Sequence, residues 1–179
     1  ISILLFLVIF IYYRKVMIIV RKNALIFKDN TYICAIGKNG TTVTKKEGDG
    51  CTPLGEYSLG RIYFREDKVV LPHLKLPQVV INKNMGWCDD INSDDYNKAI
   101  SFPFRYSAER LHRSDDIYDI VCVIEYNSNP IIKGKGSAIF MHVARDNYSE
   151  TEGCIALHKE DLITILSQVN LRTKISITD

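Results

Sequence analysis

Gly136-Ser-Ala-Ile-Phe-Met-His142-Val-Ala-Arg145, followed after a short polar link by Thr151-Glu152-Gly153-Cys154-Ile155-Ala156-Leu157, is the stretch from which fold and chemistry are both read. An apolar run over 137–142 with period-two alternation predicts a strand. Ala138, Phe140 and His142 fall on one face of it and Ile139 and Met141 on the other. His142 leaves the end of that strand, and the chain returns at a Gly-Cys pair flanked by apolar residues. A thiol and an imidazole brought together in this way are the parts of a nucleophile and its base. Gly153 allows close backbone approach beside Cys154, and the amides around such a turn can converge on one point as an oxyanion hole.

Working outward, the chain continues as short apolar runs cut by turn residues, an all-β pattern. Strands are expected at Val16–Val20, Ala24–Phe27, Thr31–Ile36, Tyr57–Phe64, Val79–Asn82, Asp119–Glu125 and Arg172–Thr178. Asn23 and Asp29-Asn30 sit between the first three, where tight turns favour residues that tolerate left-handed conformations. Ser107–Asp116 is expected to form a helical turn or two. A longer helix is expected from Lys159 to about Val169, with Leu162, Ile163, Leu166 and Val169 on one face and Glu160 and Asp161 in its first turn. No internal repeat or low-complexity linker divides the chain.

With 179 residues, 46% hydrophobic and 25% charged, the chain can form one domain with its own core. A net charge of +2 and the lack of a basic run interleaved with aromatics argue against nucleic acid as a partner. Cys34, Cys51, Cys88, Cys122 and Cys154 show no C-x-x-C spacing, against a zinc ribbon or a thioredoxin-type motif. With Cys154 a free nucleophile, the other four either pair or stay reduced; Cys122, within Ile120-Val-Cys-Val-Ile124, reads as a buried structural thiol.

Several alternative motifs fail. The Gly-rich loops at 37–40, 45–50 and 134–137 lack the Lys-Ser/Thr ending and following helix of a phosphate loop. The acidic loop after Trp87 places Asp95 and Ser101 where a calcium-binding EF-hand requires Gly and Glu. A metal site of His142, Cys154 and His158 lacks a fourth ligand and matches no zinc spacing. His158 reads as the helix start, and His73 and His112 as surface loop residues. No metal or cofactor is therefore expected.

The segment 1–15 stands apart. Its apolar run to Tyr13 is shorter than the roughly 20 residues a membrane-spanning helix needs, and Arg14-Lys15 lie on the wrong side for an export signal. It is either a membrane-targeting or anchoring segment or sequence extraneous to the domain at 16–179.

These residues together resemble the L,D-transpeptidase catalytic domain, or YkuD, family, whose motif places a His at a strand end before Ser/Thr-His-Gly-Cys, an apolar residue and Arg or Asn. His142, Thr151, Gly153, Cys154 and Ile155 match it, and Thr52-Pro53-x-Gly55 is similar to the family's upstream Thr-Pro-x-Gly element. Lys46-Glu-Gly-Asp-Gly50, Trp87-Cys-Asp-Asp90, Ser107-Ala-Glu-Arg-Leu111 and Tyr118-Asp119 look like a bacterial subgroup of it. Glu152 replaces the His before Gly-Cys, Ala156 replaces the Arg or Asn, and the His-to-Cys spacing is short for the family.

The resemblance implies a mainly β, single-domain fold of mixed, sandwich-like sheets with one substantial C-terminal helix. It also implies a peptidoglycan L,D-transpeptidase acting in the bacterial envelope, in the periplasm. Cys154 would be the nucleophile, His142 the base and Gly153 part of the catalytic turn, with Arg145, Thr151 and Glu152 as substrate contacts. Stem peptides would be the substrates and carbapenems the expected inhibitors. Arg145 either binds a substrate carboxylate in place of the missing cation or pairs with Asp146 or Glu150 at the surface. An L,D-carboxypeptidase or endopeptidase, and a non-catalytic wall-binding module, are the alternatives.

Overall fold

The computed structural model describes residues 17–179, so the segment 1–15 lies outside the described residues. Strands β1 (Met17–Arg21), β2 (Ala24–Phe27) and β3 (Asn30–Ala35) form an antiparallel meander through tight turns at the Asn and Asp positions. Lys22 and Lys28 take positive φ in these turns. Further along lie β4 (Thr41–Thr42), β5 (Thr52–Pro53), β6 (Gly55–Phe64), β7 (Gln78–Val80), β8 (Met85–Cys88), β9 (Ala99–Ser101) and β10 (Ala108–Arg110). The chain ends with β11 (Ile120–Ile124), β12 (Phe140–Val143), β13 (Ile155–Leu157), helix α1 (Lys159–Gln168) and β14 (Lys174–Thr178).

The main sheet is nine-stranded, in the order β11-β12-β13-β3-β2-β1-β14-β6-β7, and β6 also pairs with β11. The ten-residue β6 makes this possible: Gly55–Ser58 pair with β14, while Leu59–Phe64 pair with β11. The sheet is thereby bent round on itself. It is mixed, with parallel pairs at β1–β14, β12–β13 and β6–β7. The fold is the mainly β, single-domain one expected, with one helix near the C-terminus among the described residues.

Strand alternation divides the interior. Ile120, Cys122 and Ile124 of β11, Met141 and Val143 of β12, and Ile155 and Leu157 of β13 join one large apolar cluster. Val121, Val123, Phe140 and Cys154 face the other way, into a second cluster with Tyr63, Trp87, Leu111 and Tyr118. The small sheet β10-β8-β9 supplies Trp87 to that second cluster. Helix α1 closes the large cluster with Leu162, Ile165, Leu166 and Val169, all fully buried. Ile165 takes the place expected of Ile163, which is only partly buried, because spacings of three, four and seven from Leu162 select the tighter stripe.

Two further expectations are corrected. Ser107–Asp116 holds the short strand β10 and no helix, because pairing of Ala108–Arg110 with Cys88–Gly86 overrides local propensity. The strand expected over 137–142 begins only at Phe140: Gly136 at φ +99° and Ala138 at φ +53° hold left-handed conformations incompatible with a ladder. All five cysteines are free thiols, with only Cys51 partly exposed. No helix among the described residues is long and apolar enough to cross a membrane.

Candidate active site

Parallel pairing of β12 with β13 sets Met141 against Ile155 and His142 against Ala156. Since Cys154 precedes Ile155, its side chain emerges on the face that carries Phe140 and His142. Both His142 and Cys154 line one cavity of about 540 Å3, together with Lys45, Glu109, Arg113 and Tyr118 among others. A second cavity of about 670 Å3, lined by Tyr63, Trp87 and Phe140, contains neither.

The turn that carries Cys154 is tied from three sides. Thr52, fully buried, accepts from the Gly37 amide at 2.9 Å and donates to the Gly153 carbonyl at 2.9 Å. Thr151 Oγ1 donates to the Cys154 carbonyl at 2.7 Å and accepts from the Gly153 amide at 3.1 Å. The Thr151 backbone bonds to Ile36 and Lys38, extending the β3 edge. The Thr-Pro-x-Gly element thus holds the turn that carries Cys154 in register.

His142 Nδ1 lies 2.9 Å from the Val143 carbonyl. A carbonyl only accepts, so Nδ1 carries the hydrogen and Nε2 presents its lone pair. The ring packs edge-on to Tyr118, centroids 5.4 Å apart. Beneath it, Phe140 makes edge contacts with Trp87 at 5.0 Å and Tyr118 at 6.1 Å, a rigid aromatic base for the pair.

Cys154 Sγ donates to the Ala138 carbonyl at 3.1 Å. That carbonyl is aimed by a residue with no role in the sequence reading. Asn97, buried and itself at φ +57°, accepts from the Trp87 indole and from the Ala138 amide, both at 3.0 Å. Its side-chain NH2 donates to the carbonyls of Tyr126 and Asn127. A Trp indole N–H that needs a buried acceptor, near an Asn able to adopt positive φ, is the one sequence feature by which Asn97 could be found. Asn97→Ala orphans both donors and is expected to cost roughly 2–4 kcal/mol. Urea denaturation checks this, and a loss under about 0.5 kcal/mol would contradict it.

Electrostatics leave thiol and imidazole neutral at rest. Burial pushes the Cys154 thiol up to about 12, with the Glu109 charge adding to the effect and a backbone bond from Phe140 and the Lys45 charge opposing it. Burial brings His142 down to about 4; the Val143 bond opposes this, while the Arg145 and Arg113 charges reinforce it. With both groups neutral, no thiolate–imidazolium pair is formed at rest. Iodoacetamide alkylation of Cys154 should therefore climb about tenfold per pH unit through neutrality. A plateau at acid to neutral pH would show a preformed thiolate. The same His142 shift makes the folded protein lose stability as pH falls from 6.5 towards 4, because the unfolded chain binds the proton first.

The other expected site residues are placed as follows. Gly153, at φ +135°, has its amide and carbonyl engaged by the two threonines, so its contribution is conformational. Glu152 lines the cavity and pairs with Lys38 at 2.8 Å, both well exposed. Arg145 also lines the cavity, is exposed, and has no ion pair with Asp146 or Glu150 among the described residues. His158 stands at the N-terminus of α1, exposed and 2.8 Å from Glu160. No group of three or more potential metal-ligating side chains occurs among the described residues.

The sequence profile of the L,D-transpeptidase catalytic domain, YkuD, matches residues 7–177. Comparison with curated proteins and with solved structures gives no match. With nearly the whole chain covered by that profile, the protein belongs to the L,D-transpeptidase catalytic domain family.

Proposed function

We propose that this protein is a peptidoglycan L,D-transpeptidase whose domain at 16–179 uses Cys154 and His142 as nucleophile and base. The observation that carries the reading is their emergence from adjacent parallel strands into one polar cavity, with Nε2 of His142 unengaged. Cys154 leaves its bond to Ala138 and attacks the carbonyl of the third stem-peptide residue as Nε2 takes the thiol proton. The tetrahedral oxyanion is held by the Cys154 amide. His142 then protonates the departing amine of the fourth residue, and a thioester remains. An amine from a second stem attacks the thioester, and sulfur recovers its proton through His142.

Arg145 suits a substrate carboxylate, being free of ion pairs among the described residues at the mouth of the cavity. Thr151 serves by pinning the nucleophile's turn, and Glu152 with Lys38 forms part of the rim. The substrate implies the bacterial envelope, on its periplasmic side, as the site of action, with 1–15 either a targeting segment or anchor or sequence extraneous to the domain.

Incubation with purified tetrapeptide muropeptides tests the transfer directly. Cross-linked dimers detected by mass support it. Tripeptides alone would make the enzyme an L,D-carboxypeptidase, and no turnover of either kind by folded protein would make it a binding module.

A further inference from the structure

We propose that Glu109 is the acceptor-side carboxylate of this site: it binds the ammonium form of the incoming primary amine and takes the proton that must leave before attack. This assignment rests on the transpeptidase reading above. It starts from proton accounting. In acylation, the S–H proton passes through His142 to the departing amine as the S–C bond forms and the C–N bond breaks, which leaves His142 neutral. In transfer, the acceptor arrives at neutral pH as R–NH3+ and must lose two protons. One travels through His142 to the sulfur as the C–S bond breaks. The other must be removed before the nitrogen lone pair exists, and His142 cannot carry both. Water attacking the same thioester is neutral from the start, so hydrolysis needs His142 alone.

Glu109 meets the requirements of that second group. It stands on β10 in the wall of the cavity that holds Cys154 and His142. Its Oε1 accepts from Tyr118 Oη at 2.8 Å, and the Tyr118 ring lies edge-on to His142. It lines the same cavity as Cys154, and its charge acts on that thiol. Arg113, whose charge partly offsets that of Glu109, lies over the Tyr118 ring and is forked to Asp115 by two bonds of 2.8 Å, and among the described residues it makes no ion pair with Glu109.

Asp89 lines the same cavity, and its Oδ1 is buried without a hydrogen-bond partner among the described residues. An unpaired buried carboxylate oxygen is costly, and a donor arriving from outside the fold would satisfy it. Two carboxylates that line one cavity and whose charges interact, one with an oxygen unpartnered among the described residues, make this wall of the cavity fit a primary ammonium. Among the groups facing Glu109, burial raises its carboxyl above the ordinary range, the Tyr118 bond and the Arg113 charge oppose this, and the Asp89 charge adds to it. A carboxylate shifted upward is the better base toward an ammonium.

Glu109→Gln tests the assignment, since the amide oxygen still accepts from Tyr118. The readout is the ratio of cross-linked dimer to tripeptide formed from tetrapeptide muropeptides as acceptor concentration is raised. The ratio should fall by roughly 10^2-fold or more, the lower end of the range for loss of a positioned base, and Glu109→Asp should restore part of it. Hydroxylamine, already neutral at pH 7, needs no such base, so the variant should still form hydroxamate from the thioester. An unchanged dimer-to-tripeptide ratio would overturn the assignment, and so would parallel loss of dimer and hydroxamate, which marks a merely structural role. A wild-type protein that forms no thioester would overturn the transpeptidase reading itself, a different failure.

Discussion

Cys154→Ala is expected to abolish turnover of tetrapeptide donors, a fall of roughly 10^4-fold or more, because no other thiol lines the cavity among the described residues. The substitution removes the sulfur while leaving the turn intact. The loop is held by Thr52 and Thr151 through main-chain atoms of Gly153 and Cys154, none of which changes. Folding stability should therefore stay near that of the wild type, the loss of a small buried thiol costing about 1 kcal/mol. His142→Ala should lower turnover by roughly 10^2- to 10^4-fold. Combining the two should add almost nothing to Cys154→Ala alone, since base and nucleophile act as a unit. Steady-state rates on all three variants check this, and additive losses would mean that the two residues act in separate steps.

Gly153→Ala is expected to damage both folding and chemistry. A Cβ at this position would meet the Cys51 carbonyl oxygen at 2.7 Å and Ile139 Cδ1 at 3.3 Å, at a φ of +135° that L residues rarely adopt. The first obstacle is backbone, itself fixed by the neighbouring Thr52 bonds, and cannot swing aside as a side-chain tip does. Strain and displacement together should cost on the order of 2–4 kcal/mol. Where the protein still folds, displacement of the turn by about 1 Å should slow acylation by about 10^2-fold. Urea denaturation and single-turnover labelling measure the two effects separately. A variant with wild-type stability and labelling rate would show that the turn has room the geometry denies.

Much of this architecture is legible in the sequence, and what is hidden has physical reasons. The meander at β1–β3, the central strand β11 and helix α1 are long enough for their periodicity to show. His142 and Cys154, a pairing that chance alone produces in many chains, stand out because the Thr-Pro-x-Gly element and the other motif residues accompany them. Strands β8, β9 and β10 are hidden because three- or four-residue segments carry no readable period, and their pairing is fixed only by one another.

The same shortness conceals the second layer of the site. Glu109 falls in a segment whose local pattern suggests a helical turn, and Asn97 in an acidic loop where Asn is ordinary. Neither acquires meaning until β10 sets Glu109 beside Tyr118 and the loop brings Asn97 under Ala138. Thr151 was legible as a motif residue, but only the fold gives its hydroxyl two backbone partners. Long-range contacts of this kind are invisible to any window of sequence.

The central claim is that Cys154 is an acylating nucleophile served by His142. Intact-mass analysis after incubation with a carbapenem, followed by peptide mapping, tests it most directly. The predicted result is one stoichiometric adduct on the Cys154 peptide, absent in Cys154→Ala and formed far more slowly in His142→Ala. No adduct on folded wild-type protein, or an adduct carried by Cys51 and undiminished in Cys154→Ala, would contradict it.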